Sequence, residues 1–321
     1  MFTYMKNTFR FGGRGKNPME RAVQWIKRYR IPGSGIACNH TTKMVTPEVT
    51  GYIIDTLYRV GEKELACDLA RWEASIQRED GGFDAPGTNV PYSFDTAQIV
   101  RGFLAVLDDM PKVEINLRKA CDYVDRFIAA DGEVKTESYD TWKLPDGSML
   151  SEYGNLYVLP PMLKAGKKLN EKRYIDAAKR GMEYYRGKTD LIEFKSSLTM
   201  LSHYFGYMME ALTELGEFEL AKKGLKEAEV IQKSDGSIPA YPGVNWICST
   251  GMAQLSIAWY NLGINGPADK AMKYLEKIQN ASGGFYGGYG KGCEYFDKKE
   301  ISWAAKFFID AYLLRDKVHR A

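Results

Sequence analysis

Apolar positions recur at intervals of three and four through most of the chain, in paired runs parted by a short turn. The clearest pairs are 47–60 with 62–77 and 198–215 with 217–232, split by Gly61 and Gly216 at the place where a glycine closes a helix. The same periodicity predicts helices over 94–107 and 115–129, 153–165 and 171–186, and 250–262 and 267–279. One more stands at each end, over 19–30 and 302–314. Between the pairs runs a repeated punctuation: Gln77, Asp80, Gly81, Gly82 and Phe83; then Gln232, Asp235, Gly236, Ser237 and Ile238; then Gln279, Ser282, Gly283, Gly284 and Phe285. Weaker forms fall at Gly33 to Gly35, Asp131 with Gly132, and Gly187 with Lys188, giving a repeat of about 50 residues.

Five helical hairpins and two end helices make twelve helices. An open stack would expose an apolar face at either end, whereas docking the last helix beside the first buries both. The expected fold is therefore all-α, an (α/α)6 toroid of six helical hairpins closed into a ring, forming a single domain over 19–321. The helix that follows each long loop is the more apolar and aromatic, as in 51–58, and is assigned to the inner ring; its partner carries regular Lys, Glu and Arg and faces solvent. An open solenoid of period near 34 residues fits the long loops poorly. Residues 1–18 read as a flexible basic arm with Lys6, Arg10, Arg14 and Lys16 and no apolar stretch of the export-signal kind.

Composition narrows the function. With 45% hydrophobic residues, 26% charged residues and a net charge of +3 spread along 321 residues, the chain is neither disordered nor a nucleic-acid binder. Its apolar runs are too short for a membrane span. Five cysteines without CxxC spacing argue against a disulfide framework or a zinc site, and a cytoplasmic location with no metal and no cofactor is expected. The 13% aromatic content points to the ligand class.

If the long loops share one end of the ring, the N-termini of the inner helices converge on a central cavity. Its rim would carry Glu48, Asp95, Glu152, His203 and Tyr204 as candidate catalytic groups. Candidate substrate contacts are His40, Tyr52, Tyr92, Gln98, Tyr153, Tyr157, Asn245, Trp246, Gln254, Tyr289, Trp303 and Lys306. Aromatic faces stack on sugar rings and carboxylates and amides hydrogen-bond hydroxyls, so the mixture suits a saccharide or glycan substrate. Two carboxylates across a cavity are the minimum apparatus of glycoside hydrolysis. Glu48 also fits a plain helix start, after Thr46 and Pro47, and Ser93 is placed to cap the helix that holds Asp95. Lys43, Lys306 and Arg101 are the cations available for a uronate carboxylate. The loop from Ser282 to Gly290 lacks the ending of a phosphate loop and is read either as a mobile aromatic lid over the pocket or as a purely structural loop. His319 is placed in a solvated C-terminal tail.

The segments 46–54, 94–98, 202–204, 249–254 and 302–310 together resemble a family of toroid proteins associated with bacterial and archaeal surface-polysaccharide biosynthesis. The fold kin of that family are six-hairpin glycosidases, the helical domains of glucuronyl 5-epimerases, and terpenoid cyclase and prenyltransferase toroids. The cyclase acid motif is missing, with only Asp108 and Asp109 at a helix end, and so is a prenyltransferase zinc set. What the resemblance implies is a carbohydrate-active enzyme for an acidic surface glycan or its precursor, associating with other glycan-biosynthesis proteins. A hydrolase would use Asp95 with Glu48 or Glu152; a uronate epimerase or lyase would use Tyr204, Tyr157 or His203 as proton acceptor. A non-catalytic glycan-binding protein is the third reading, and an isoprenoid-binding toroid the weakest.

Overall fold

The structure, a computed structural model, describes residues 17–137, 152–188 and 190–320. Twelve α-helices are present among them: α1 (Pro18–Arg28), α2 (Pro47–Arg59), α3 (Lys63–Ile76), α4 (Ser93–Val106), α5 (Glu114–Asp125), α6 (Leu159–Lys168), α7 (Lys172–Arg186), α8 (Ser202–Leu215), α9 (Phe218–Ile231), α10 (Ser249–Asn261), α11 (Asn265–Ile278) and α12 (Ser302–Arg320). The even-numbered helices form the inner ring, each touching the next, and α12 touches α2 to close it. Burial follows this division. Every residue of α10 from Ser249 to Tyr260 is buried, whereas α9 buries only Ala221, Gly224, Leu225 and Ala228. The fold is thus an (α/α)6 toroid.

The repeated punctuation has a physical explanation. Gln77 ends α3, and its amide donates to the Gly81 carbonyl (3.0 Å) and to the Asn116 carbonyl in the first turn of α5 (3.0 Å). Gln232 does the same for Gly236 (3.2 Å) and Pro267 of α11 (2.9 Å). Gln279 bonds Gly283 (2.8 Å) and Pro18 of α1 (2.9 Å), so the last brace joins the end of the chain to its beginning. The glycine of each turn has φ of 94°, 90° and 94°. A Cβ there would meet the carbonyl oxygen of Lys119, Lys270 or Arg21 at 2.1–2.3 Å. Gly132 packs equivalently on Arg180 of α7, so Asp131 with Gly132 shares the glycine contact of the repeat, although Ile128 stands in place of its glutamine and Arg180 donates to the Ala129 carbonyl (3.0 Å) instead. Gly33 and Gly187 meet no such neighbour. Glu300 completes the closing seam: it accepts from Trp25 Nε1 (2.6 Å) and from Asn280 Nδ2 (2.8 Å).

Some boundaries differ from the sequence reading. Asn17 caps α1 in a reciprocal bond with Glu20, so 17 and 18 belong to the ring; positions 1–16 of the expected basic arm lie outside the described residues. The third inner helix begins as a 3-10 segment, Glu152–Val158, and becomes α-helical at Leu159, because Pro160 and Pro161 fit only a first turn. At the far end α12 continues to Arg320, so His319 stands on a helix rather than in a tail; it is solvent-exposed, as expected, and faces Asp269 across 3.0 Å. The 282–290 loop is no lid. Its β2 (Gly288–Tyr289) pairs antiparallel with β1 (Ile247–Cys248), with Ile247 opposite Tyr289, and this pins it to the start of α10.

Two outcomes test this account of the ring. Gly283→Ala is expected to cost about 2 kcal/mol or more, from left-handed backbone plus the clash with α1. Gly61→Ala, equally left-handed but with open space around it, is expected to cost only about 1 kcal/mol by chemical denaturation. Glu73 of α3 is fully buried with neither carboxyl oxygen bonded, and desolvation raises its pKa well above the carboxylate range. It keeps its proton when folded but ionises above about pH 4.3 when unfolded, so this position loses stability as pH rises. Glu73→Met is therefore expected to raise the melting temperature by a few degrees at neutral pH and by less at pH 4.

Candidate active site

At the end of the ring where the inner helices begin, their first turns surround a cavity of about 330 Å³. From α2 come Glu48 and Tyr52, from α4 Phe94 and Asp95, from α8 His203, Tyr204 and Tyr207, and from α12 Trp303. Tyr92, the cap of α4, and Tyr295, from the loop before α12, complete the aromatic wall. The local sequence explains the aim of the carboxyls. Thr46 makes no side-chain cap on α2, leaving Glu48 in the first turn to face inward. Ser93 does not cap α4 but is its first residue, with its hydroxyl given to the Lys135 carbonyl (3.0 Å).

The two carboxyls face one cavity and share a hard electrostatic situation. Asp95 is raised to about 7, mainly by burial and then by the charge of Glu137. That neighbour is itself fixed behind α4 by the Ser93 N–H (3.1 Å) and the Tyr123 hydroxyl. Glu48 is pushed well above the carboxylate range, by burial first and repulsion from Asp95 second, with Lys306 and the Tyr207 hydroxyl acting in the opposite direction. Asp95 therefore ionises first, and its charge helps hold a proton on Glu48. Tyr52 in turn supports the Tyr207 hydroxyl, linking α2 to α8 beneath the pair.

His203 is a neutral group here. Its Nδ1 meets Gln254 Oε1 at 2.6 Å and its ring packs 4.5 Å from that of Tyr207. Burial, and secondarily the charge of Lys306, lower its pKa to about 4. With the amide oxygen facing Nδ1, that nitrogen carries the proton and Nε2 is left as an acceptor.

The cavity brings together Glu48, Asp95, His203, Tyr204, Tyr52, Tyr92 and Trp303 from the residues singled out in the sequence. Others are supports. Gln254 orients His203, and Gln98 accepts from Arg101 Nε (3.0 Å). Tyr157 donates to Glu210 (2.7 Å) deeper in the ring. Lys306 is paired with Asp310 (3.0 Å) against the rings of Phe307 and Tyr52, below the cavity. Arg101 is held by Glu214 and Lys43 is exposed, so neither meets the cavity. Glu152 and Asn245 are exposed outside its lining, Glu152 at the start of the 3-10 segment that opens the third inner helix and Asn245 in the connection before β1. His40 accepts from the Glu300 N–H (2.9 Å), and Tyr153 bonds Asp190. Trp246 belongs to a small apolar cluster with Leu201, Ala240 and Cys248, and the Tyr289 hydroxyl accepts from the Tyr286 N–H (2.9 Å). The sequence reading missed Tyr207, one turn beyond His203 on the same face, and Tyr295, which no periodicity marks. Among the described residues no cluster of His, Cys, Asp and Glu has the arrangement of a metal site, and no helix is long and apolar enough to cross a membrane.

No protein-family model matches the chain, and no curated protein matches it in sequence. Solved structures do match over nearly the whole length. An unsaturated glucuronyl hydrolase specific for heparin superposes with a TM-score of 0.72 at 13% identity, covering 95% of this chain and 97% of its own. An alpha-amylase from Clostridium perfringens gives 0.67 at 14% identity over 94% and 99%. A polysaccharide lyase gives 0.64 at 11% identity over 95% and 98%. At these identities the likeness establishes the toroid fold.

The electrostatics are open to measurement. The His203 ring is expected to stay neutral until about pH 4 in a proton NMR titration, its signals assigned by their loss in His203→Gln. A midpoint near the ordinary histidine value of about 6.5 would show that the ring is not held as described.

Proposed function

We propose that this protein is a glycoside hydrolase, with Glu48 as the general acid and Asp95 as the carboxylate that activates water or stabilises the sugar cation. The observation that carries this reading is the charge character of the cavity: two carboxyls and seven aromatic side chains, with no Lys or Arg among its described lining residues. Glycosidic cleavage passes through an oxocarbenium-like state, and carboxylates and π-faces stabilise developing positive charge. Proton abstraction beside a uronate carboxylate builds negative charge instead, which calls for cations facing the substrate. An epimerase or lyase is the weaker reading for that reason. Two carboxyls with separated proton affinities are the expected division between acid and base, and favour catalysis over simple glycan binding.

In this scheme a sugar ring stacks on the aromatic wall with its glycosidic oxygen toward Glu48. Glu48 gives its proton to the leaving oxygen as the bond breaks, while the Asp95 carboxylate faces the positive ring carbon. Water then adds to that carbon, and its proton is taken up by the carboxylate pair. His203, neutral and oriented by Gln254, accepts a hydrogen bond from a sugar hydroxyl at Nε2 without opposing the cation. For the acidic surface-glycan unit that the sequence resemblance suggests, the carboxylate would meet helix N-termini and tyrosine hydroxyls rather than a fixed cation.

The test is incubation in deuterated water with a panel of neutral and uronate-containing oligosaccharides, read by mass spectrometry and proton NMR. New reducing ends without carbon-bound deuterium are expected; deuterium at C5 without cleavage would overturn the hydrolase in favour of epimerisation. Asp95→Asn and Glu48→Gln are each expected to lower kcat/KM by about 10²- to 10⁴-fold. In the wild type kcat/KM should rise as Asp95 ionises around pH 7 and fall again where Glu48 loses its proton.

A further inference from the structure

The ring axis has a second opening. At the end opposite the carboxyl pair lies another cavity, of about 290 Å³, whose lining shares only Tyr52 with the first. Its walls are ion-paired: Arg59 with Asp55 and Asp310, Lys164 and Arg101 with Glu214. Its floor is not saturated. Glu210, 6% exposed, uses one carboxyl oxygen for the Tyr157 hydroxyl, and its other oxygen is buried with no partner. Lys306, 3% exposed, also lines the floor and has one carboxylate partner, Asp310, for three N–H donors. Lys164 and Arg59, half-exposed, mark the way out to solvent.

We propose that this rear cavity is a binding site for a small uncharged polyhydroxylated molecule, of monosaccharide size, distinct from the candidate active site. A hydroxyl both donates and accepts, so one such group can give its proton to the free Glu210 oxygen while taking one from Lys306. Charge favours a neutral ligand: four cations and four carboxyls line the cavity, and a ligand with a net charge would unbalance them. Burial brings Glu210 to about 7, which leaves it able to accept or share a proton with a neutral ligand near neutrality. The site is independent of the reaction proposed for the front cavity.

The test is calorimetric titration of the full-length protein with glucose, galactose, mannose and N-acetylglucosamine, together with crystals soaked in the same sugars. A saturable component is expected that survives in Asp95→Asn but weakens at least tenfold in Glu210→Leu. Asn261→Trp, placed at the exposed mouth where it gives up one bond to Thr213 (3.0 Å), is expected to abolish it even if Glu210→Leu fails to fold. Binding that is unchanged in Asn261→Trp, or density for ordered water alone over Glu210 and Lys306 at saturating sugar, would overturn the proposal.

Discussion

The contact on which this molecule depends is small: a glutamine at the end of an outer helix, bonded to its own turn and to the first turn of the next outer helix. Each such brace sets the distance and angle between neighbouring hairpins, and the glycine beside it lets the turn sit on the next helix with no side chain between them. Buried amide bonds of this kind are costly to leave unmade, so a hairpin placed out of register loses both. Three such seams, at Gln77, Gln232 and Gln279, fix the angle between neighbouring hairpins, and the last of them joins α11 to α1 and closes the ring. The inner helices, buried along most of their length, then have nowhere to point their first turns but at one another.

That convergence creates the chemistry as a by-product of geometry. A carboxylate in the first helical turn is ordinarily a mild stabiliser at a solvated helix end. In this ring the first turns of α2 and α4 face a shared space lined by aromatic side chains, and the same residue type becomes desolvated and crowded by its counterpart. Glu137 and Lys306, neither in the wall, bias the two carboxyls in opposite senses from behind. These neighbours thus adjust proton affinities that burial has already raised.

The fold was legible because its determinants are local: Gln77, Gln232 and Gln279 with their glycines occur at a regular period that sequence displays directly. The first-turn residues Glu48, Asp95, His203 and Tyr204 were legible for the same reason, since a loop-to-helix junction fixes their direction. What sequence hides is which of many aromatic and amide side chains reach the axis. Tyr207 reads as one more apolar position on a buried helix, and Tyr295 lies in a loop whose path is set by the bridges of Asp297 and Glu300 to Gly288 and Tyr286. Gln98, Gln254 and Lys306 lie behind the cavity rather than in its lining, each bonded to a neighbour. Trp246 and Tyr289 have the composition of a sugar platform and serve instead as the packing of the β1 and β2 pair.

The closing seam imposes an order in time. Pro18 and Arg21 of the first helix have as partners Gln279 and Gly283, and Trp25 bonds Glu300 across 275 residues of chain. Until nearly the whole polypeptide has been made, α1 has no neighbour for that face, and α2 has none for the side that α12 will cover. The hairpins between can form as they are synthesised, but the ring is sealed by its most distant contact, which makes closure the slow, non-local step. A chain arrested before α12 would hold five formed hairpins around an open groove, with the two carboxyls wet and their proton affinities those of ordinary acids.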